Sequence, residues 1–219
     1  MPARPALTRD RVVDGAARVA DAGGLAAVSM RNVGKELGVE AMSLYHHIAG
    51  KDALLDALVD WVFAAIELPD LDAPWRPAMA ARAASARTVL SAHPWGLGLI
   101  ESRRHPGPAL LRHHDTVLGC LRRGGFPVAL AAHAFSVIDA YVHGFVLTEL
   151  NLPFEPGEAT EDFVVALGLP VEEYPHLAEM VAEQVRGRDY AYADEFSYGL
   201  ELILDGLEER LGRVARPIR

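Results

Sequence analysis

Apolar residues in the stretch 29–51 (SMRNVGKELGVEAMSLYHHIAGK) recur in steps of four, interrupted by a glycine. Val33 and Leu37 share one helix face, and Leu44 and Ile48 share another. The pattern predicts two short helices joined at Gly38, whose tolerance of positive φ lets the chain leave the first helix abruptly. The Ser29 hydroxyl is placed to cap that first helix, and Lys51 opens a third helix after a second break. With Leu44 and Ile48 turned inward, the second helix presents Ala41, Met42, Ser43, Tyr45, His46 and His47. That face is small, hydrogen-bonding or aromatic, and it carries no carboxylate. It suits the recognition helix of a helix-turn-helix, which must approach a polyanion closely. A helix–glycine–helix unit is also common as plain scaffold in all-α proteins. Arg31 in the first turn and Lys51 on the far flank tip the reading toward DNA.

Beyond this head, 51–66 has a broad apolar side made by Leu54, Leu55, Leu58, Trp61, Val62 and Ala65, and is expected to be a connecting helix. A break from Leu68-Pro69-Asp70 to Pro74 precedes a helix over 75–92, and His93-Pro94-Trp95-Gly96 forms the next break. A short helix then leads to Pro106-Gly107-Pro108, followed by a helix over 109–123 that ends at Gly124-Gly125. The segment 127–150 is long, apolar and rich in small residues (Ala129, Ala131, Ala132, Ala134, Gly144). The segment 194–211 repeats Phe196, Leu200, Ile203, Leu207 and Leu211 at helical spacing. Taken alone, both fit ordinary core helices. The stretch 151–161 lacks periodicity and is expected to be a loop. Strand-like alternation is scarce throughout, so the predicted fold class is all-α.

The net charge of −9 over 219 residues would disfavour a DNA binder if it were spread evenly. It is not: residues 1–51 hold seven basic and five acidic groups, a balance of +2, which leaves −11 for the other 168 residues. Both lysines, Lys35 and Lys51, fall in the head. Only the head suits a polyanion. Cys120 is the sole cysteine, which excludes an intrachain disulfide and thiolate zinc clusters. The N-terminus lacks an apolar stretch of signal-peptide length, and the charge-free segment 124–138 is too short to span a bilayer. A cytoplasmic location without membrane attachment is expected.

The run LTRDRVVDGAARVADAGGLAAVSMRNVGKELGVEAMSLYHHIAGKDALLDAL closely resembles the N-terminal domain of tetracycline-repressor (TetR) type regulators. The matching residues are Thr8 opening a first helix, Gly23-Gly24 closing it, Ser29-Met30-Arg31 and the Leu37-Gly38-Val39 turn. Ser43-Leu44-Tyr45-His46-His47 and Lys51-Asp52-Ala53-Leu54-Leu55 complete the set. The resemblance implies a homodimeric transcriptional regulator with an N-terminal three-helix helix-turn-helix DNA-binding domain (1–50). A larger helical effector-binding and dimerisation domain (51–219) follows. It further implies that 127–150 and 194–211 of each subunit form a four-helix dimer bundle. A two-fold dimer would bind a palindromic double-stranded operator, as a repressor released by a small-molecule effector.

The candidate DNA-contacting residues are Arg31, Ala41, Met42, Ser43, Tyr45, His46, His47 and Lys51. Met42 offers apolar contact to a thymine methyl, and Ser43 a hydrogen bond to a base edge or phosphate. Tyr45 and His47 are expected at phosphates or bases by their place in the motif, and Lys51 at a phosphate beside a helix N-terminus. Packing is the competing role for Met42, and simple exposure for His46. No Arg, Asn or Gln on this helix supports bidentate base readout, so specificity would rest on weaker contacts, Arg31 and DNA shape.

For the effector, the candidates are Arg82, Leu90, Trp95, His105, His114, Phe135, Asp139 and His143, as a mostly apolar cavity between helices with a few polar groups. Each of these also fits a place in the core or on the surface. His113-His114-Asp115 invites a metal reading, yet adjacent helical histidines point about 100° apart, and no metal or other cofactor is expected. Tetracycline repressors carry a histidine that meets drug-bound magnesium. Here the corresponding run is Ile100-Glu101-Ser102-Arg103-Arg104, with His105 displaced, which argues against tetracycline itself. No nucleophile elbow, phosphate loop or metal-ligand helix motif is present, so an enzyme is not expected. The alternative is a small-molecule-binding or interaction module that has lost DNA binding, motivated by the modest head charge and the Ala41-Met42 pair.

Overall fold

The computed structural model of the protein describes residues 6–103, 105–153, 160–188 and 190–214, and among them the regular structure is helical. Thr8 accepts from the Arg11 N–H and starts α1 (Arg9–Ala27). The chain kinks at Gly23 and Gly24, where the match had placed the end of the first helix. Ser29 accepts from the Asn32 N–H at 3.2 Å and caps α2 (Met30–Leu37). Gly38 closes α2 at φ 62, a left-handed conformation costly for any residue with a Cβ.

The recognition element is shorter than the 41–47 expected. Its α-helical part, α3 (Ala41–Leu44), spans four residues, and 45–47 continue as a turn. The reason lies in the hydrogen bonds: Tyr45 N–H donates to Met42 O and His47 N–H to Leu44 O, both three residues back. Such bonds wind the chain more tightly than an α-helix and end it soon. The buried side is as the spacing required, with Leu44 and Ile48 enclosed alongside Val12, Ala16, Val33 and Leu54.

α4 (Lys51–Ala65) follows. Leu54, Leu58 and Val62 are buried as expected, but Ala65 is exposed while Ala57, Val59 and Phe63 are also buried. A single stripe does not describe this helix, because α1, α5, α6 and α7 pack on it from several directions. These are α5 (Trp75–Ala92), α6 (Trp95–Ser102) and α7 (Pro108–Arg123), followed by α8 (Val128–Glu149). α6 begins at Trp95 with Pro94 as its cap, so the break before it is narrower than four residues.

α8 is long and apolar enough to cross a membrane by those measures alone. It places Asp139 in an ion pair with Arg82 and His143 3.7 Å from Glu101, and it buries Ala131, Ala134, Ile138 and Val142 against protein. One face of the helix is thus packed against the rest of the subunit.

The chain packs as two compact units, Met1–His143 and Gly144–Arg219. The second holds the end of α8, α9 (Thr160–Leu167), α10 (Pro175–Met180) and α11 (Glu195–Val214). α9 starts within the stretch expected to be a loop, while 154–159 lie outside the described residues. α10 runs into a wider π-type turn, Val181–Val185, and a short turn, Tyr192–Asp194, precedes α11. On α11, Phe196, Leu200, Leu204 and Leu207 are buried inside the subunit, with Ile203 and Leu211 half-buried. Most of the apolar stripe noted in the sequence, Phe196, Leu200 and Leu207, therefore serves the subunit's own core. Tyr198, Leu202 and the terminal Val214 are the large apolar residues left outside on this helix.

Candidate functional site

Two constellations in the first unit hold the chemistry. The first is the outer face of the helix-turn-helix. Met42 and Tyr45 are 72% and 50% exposed, which leaves an apolar and an aromatic side chain open to solvent on this face. His46 is exposed and Ser43, Ala41 and His47 are half-buried. Arg31, Asn32, Lys35, Val39, Glu40 and Ala41 line a concavity of about 400 Å³ between α2 and the start of α3. Lys35, which no local motif marks as a contact residue, belongs to this wall and adds its charge to that of Arg31. Asn32 is committed to structure, since its side chain donates to Ala27 O at 2.7 Å. Lys51 stands exposed at the start of α4, whose cap, Gly50, supplies no side-chain acceptor for the first N–H groups. A helix start left open in this way attracts anions.

The second constellation lies among α4, α5, α7 and α8. Arg82 is 3% exposed, and its guanidinium Nη1 forms an ion pair with Asp139 Oδ1. Its Nε–H donates to His113 Nε2 at 3.1 Å. His113 is fully enclosed; burial first, then the nearby Arg82 charge, holds its pKa down at about 4. Burial likewise lowers His114, partly offset by Asp139. The aromatic side is built by Phe63, 5.2 Å from His113 and 5.9 Å from His114 between ring centres. Phe135 meets His114 edge-on at 4.8 Å.

Four of the eight effector candidates, Arg82, His114, Phe135 and Asp139, thus come together. Phe63 and His113 complete the group and were not singled out as effector contacts. Phe63 and Arg82, which His113 meets, lie on other helices, so their spacing along the chain carries no local signal.

The other four lie elsewhere. Leu90 is a fully buried core residue of α5. Trp95 donates its indole N–H to Asp21 Oδ1 at 2.6 Å, in a group with His93 and Trp61 that joins α6 and α4 to α1. His93 Nδ1 meets the same carboxylate oxygen at 2.7 Å, and Trp61 donates to Asp14 at 2.9 Å. His105 is exposed, 3.8 Å from Asp56, and His143 is half-buried beside Glu101. Among the described residues no group of three His, Cys, Asp or Glu is arranged to hold a metal ion.

A helix-turn-helix with an open basic flank, and a separate helical region around a buried polar cluster, define a ligand-responsive regulator. The comparisons agree. The family model described as "Bacterial regulatory proteins, tetR family" matches residues 12–58, and "Tetracyclin repressor-like, C-terminal domain" matches 68–211. The HTH-type transcriptional repressor DrrR1 of Streptomyces coeruleorubidus is 37% identical, covering 94% of this chain and 78% of that protein. The class A tetracycline repressor from transposon 1721 of Escherichia coli is 31% identical, covering 85% of this chain and 84% of that one. Apo ActR from Streptomyces coelicolor superposes with TM-score 0.78 at 27% identity, over 97% of this chain and 100% of its own. The complex of ActR with actinorhodin superposes with TM-score 0.77 at 27% identity, covering 95% and 100%. The chain belongs to the TetR family. It is a ligand-responsive DNA-binding transcriptional repressor, and regulators of this family bind operator DNA and small-molecule effectors as dimers.

Proposed function

We propose that the head contacts DNA through Arg31, Ala41, Met42, Ser43, Tyr45, His46, His47 and Lys51, joined by Lys35. We further propose that the Arg82–Asp139–His113 cluster with Phe63, His114 and Phe135 receives the effector. The carrying observation is the exposed face of Met42, Tyr45 and His46, which has no carboxylate of its own, flanked by Arg31, Lys35 and the open start of α4, with Glu40 at its edge. Residues 1–50 act as the DNA-binding domain and 51–219 as the effector and dimer domain. Segments 127–150 and 194–211 supply the dimer contacts, where Leu147, Tyr198 and Leu202 are exposed apolar side chains. The protein has no catalytic role and no cofactor, and it works in the cytoplasm on a palindromic operator.

Induction is a shift between conformers of differing DNA affinity, limited by the effector's differential binding to them. α7 carries His113 and His114, and its N-terminus is held by Asp60 of α4. α4 in turn begins at Lys51, beside the DNA-facing turn. A ligand seated against α7 therefore bears on the helix that sets the head.

Selection of bound sites from random duplexes, followed by titration at several salt concentrations with and without effector, tests this reading. A near-palindromic site, steep salt dependence and effector-induced release are expected. Salt-independent or sequence-indifferent binding would overturn the assignment of these residues to the DNA interface.

A further inference from the structure

The Arg82–His113 hydrogen bond decides the tautomer of a buried imidazole. Arg82 Nε carries a hydrogen and can only donate, so His113 Nε2 is the acceptor and bears no proton. The ring is neutral, because burial holds its pKa at about 4. Its one proton is therefore on Nδ1. That Nδ1–H is enclosed and has no hydrogen-bond partner among the described residues. An enclosed donor left unmade costs free energy that an incoming acceptor recovers.

The charge around it is already balanced: Arg82 is matched by Asp139, and both histidines are held neutral. The rings nearby, Phe63, His114 and Phe135, offer edges and faces to a flat partner. A net ionic ligand would have to be accommodated against a closed ion pair, whereas an uncharged one would not.

We infer that His113 Nδ1–H is the specificity-determining donor of the effector site, and that the effector is an uncharged, flat aromatic molecule presenting a carbonyl oxygen to it. This rests on the reading of the Arg82–Asp139 cluster as the effector site. His113 is then a ligand-contacting residue, while Arg82 acts through it by holding the tautomer.

The test compares 9-fluorenone with fluorene, two uncharged tricyclic probes that differ by the carbonyl, in equilibrium titrations of the full chain followed by tryptophan fluorescence. Fluorenone is expected to bind about tenfold more tightly, the ratio one buried hydrogen bond supplies. His113→Gln keeps an acceptor for Arg82 near the Nε2 position but removes the Nδ1 donor, and should bring the ratio near one. His113→Asn keeps an N–H near the Nδ1 position and should preserve the preference. In long-range proton–nitrogen spectra, His113 should show its proton on Nδ1, with a shift on adding fluorenone and none with fluorene.

Equal binding of the two probes to the native protein overturns the inference, as it would if a bound water already satisfied Nδ1. So does a preference that survives His113→Gln, or failure of both probes to bind. The site reading is judged separately by Phe135→Ala. If both probes bind equally and both are weakened by Phe135→Ala, the site stands and only the ligand class falls. If binding ignores Phe135→Ala, the site itself is misplaced.

Discussion

Asp60 on α4 accepts the backbone N–H of Ala109, near the start of α7, at 2.7 Å, although 49 residues separate the two. The same oxygen takes the Leu110 N–H at 3.0 Å. α7 has no local side-chain cap, and Pro108 at its start has no N–H to satisfy. One carboxylate from another helix therefore serves the first two donors and complements the positive end of the helix dipole. Gly107 allows this approach, since a Cβ there would collide with the Asp60 carboxylate.

Removing that cap should cost stability and loosen the link between effector and head. Asp60→Ala is expected to lower unfolding stability in urea by about 1–2 kcal/mol. The ratio of operator affinities without and with effector should also fall toward one. A stability loss that leaves this ratio unchanged would show that the signal does not pass through α7.

The low pKa of His113 makes stability depend on pH in a stated direction. The unfolded chain takes up this proton near pH 6.5, while the folded protein refuses it until about pH 4. The unfolded state thus binds more protons in that window, and stability falls as pH is lowered through it. The contribution is fully present above pH 6.5, and by pH 4 about 3 kcal/mol is lost. Urea titrations between pH 4 and 7.5 should show a flatter profile for His113→Gln than for the native chain.

Breaking the Arg82–Asp139 pair from one side should be worse than removing it. Asp139→Leu strands a guanidinium that is 3% exposed, and about 3 kcal/mol or more should be lost. The double variant Arg82→Met with Asp139→Leu should recover much of this. Thermal unfolding of the two single variants and the double forms the cycle, and simple additivity of the losses would mean the two charges do not depend on each other.

Asp21 gathers the His93 and Trp95 rings onto α1 with one carboxylate oxygen. Asp21→Ala leaves the indole N–H of the buried Trp95 without its acceptor and should cost about 1–2 kcal/mol. A red-shifted tryptophan emission at unchanged helix content would mark the freed ring.

On the DNA side, Tyr45→Ala and Lys51→Ala should each weaken operator binding by about 1 kcal/mol or more without disturbing the fold. Lys51→Ala should also reduce the salt slope by about one counterion. Native affinity in a salt-controlled gel shift, at unchanged circular dichroism, would remove either residue from the interface.

Wherever neighbours in sequence are also neighbours in space, the residues alone carried the answer. Ser29 caps α2, Gly38 ends it, and Leu44 with Ile48 turns the recognition face outward, because caps, left-handed turns and helical periodicity are set within a few residues. The same locality made the helices from α4 to α8 and α11 legible, and with them the family. Only the tertiary structure decided that 45–47 leave the α-helix, that most of the α11 stripe belongs to the subunit's own core, and that α9 and α10 exist where periodicity is weak. It alone brought Arg82 to His113 and Asp139, and Asp60 to α7. Those pairs span 31 to 57 residues, and each joins side chains or backbone on two different helices. No pattern confined to one helix can encode which other helix will lie against it.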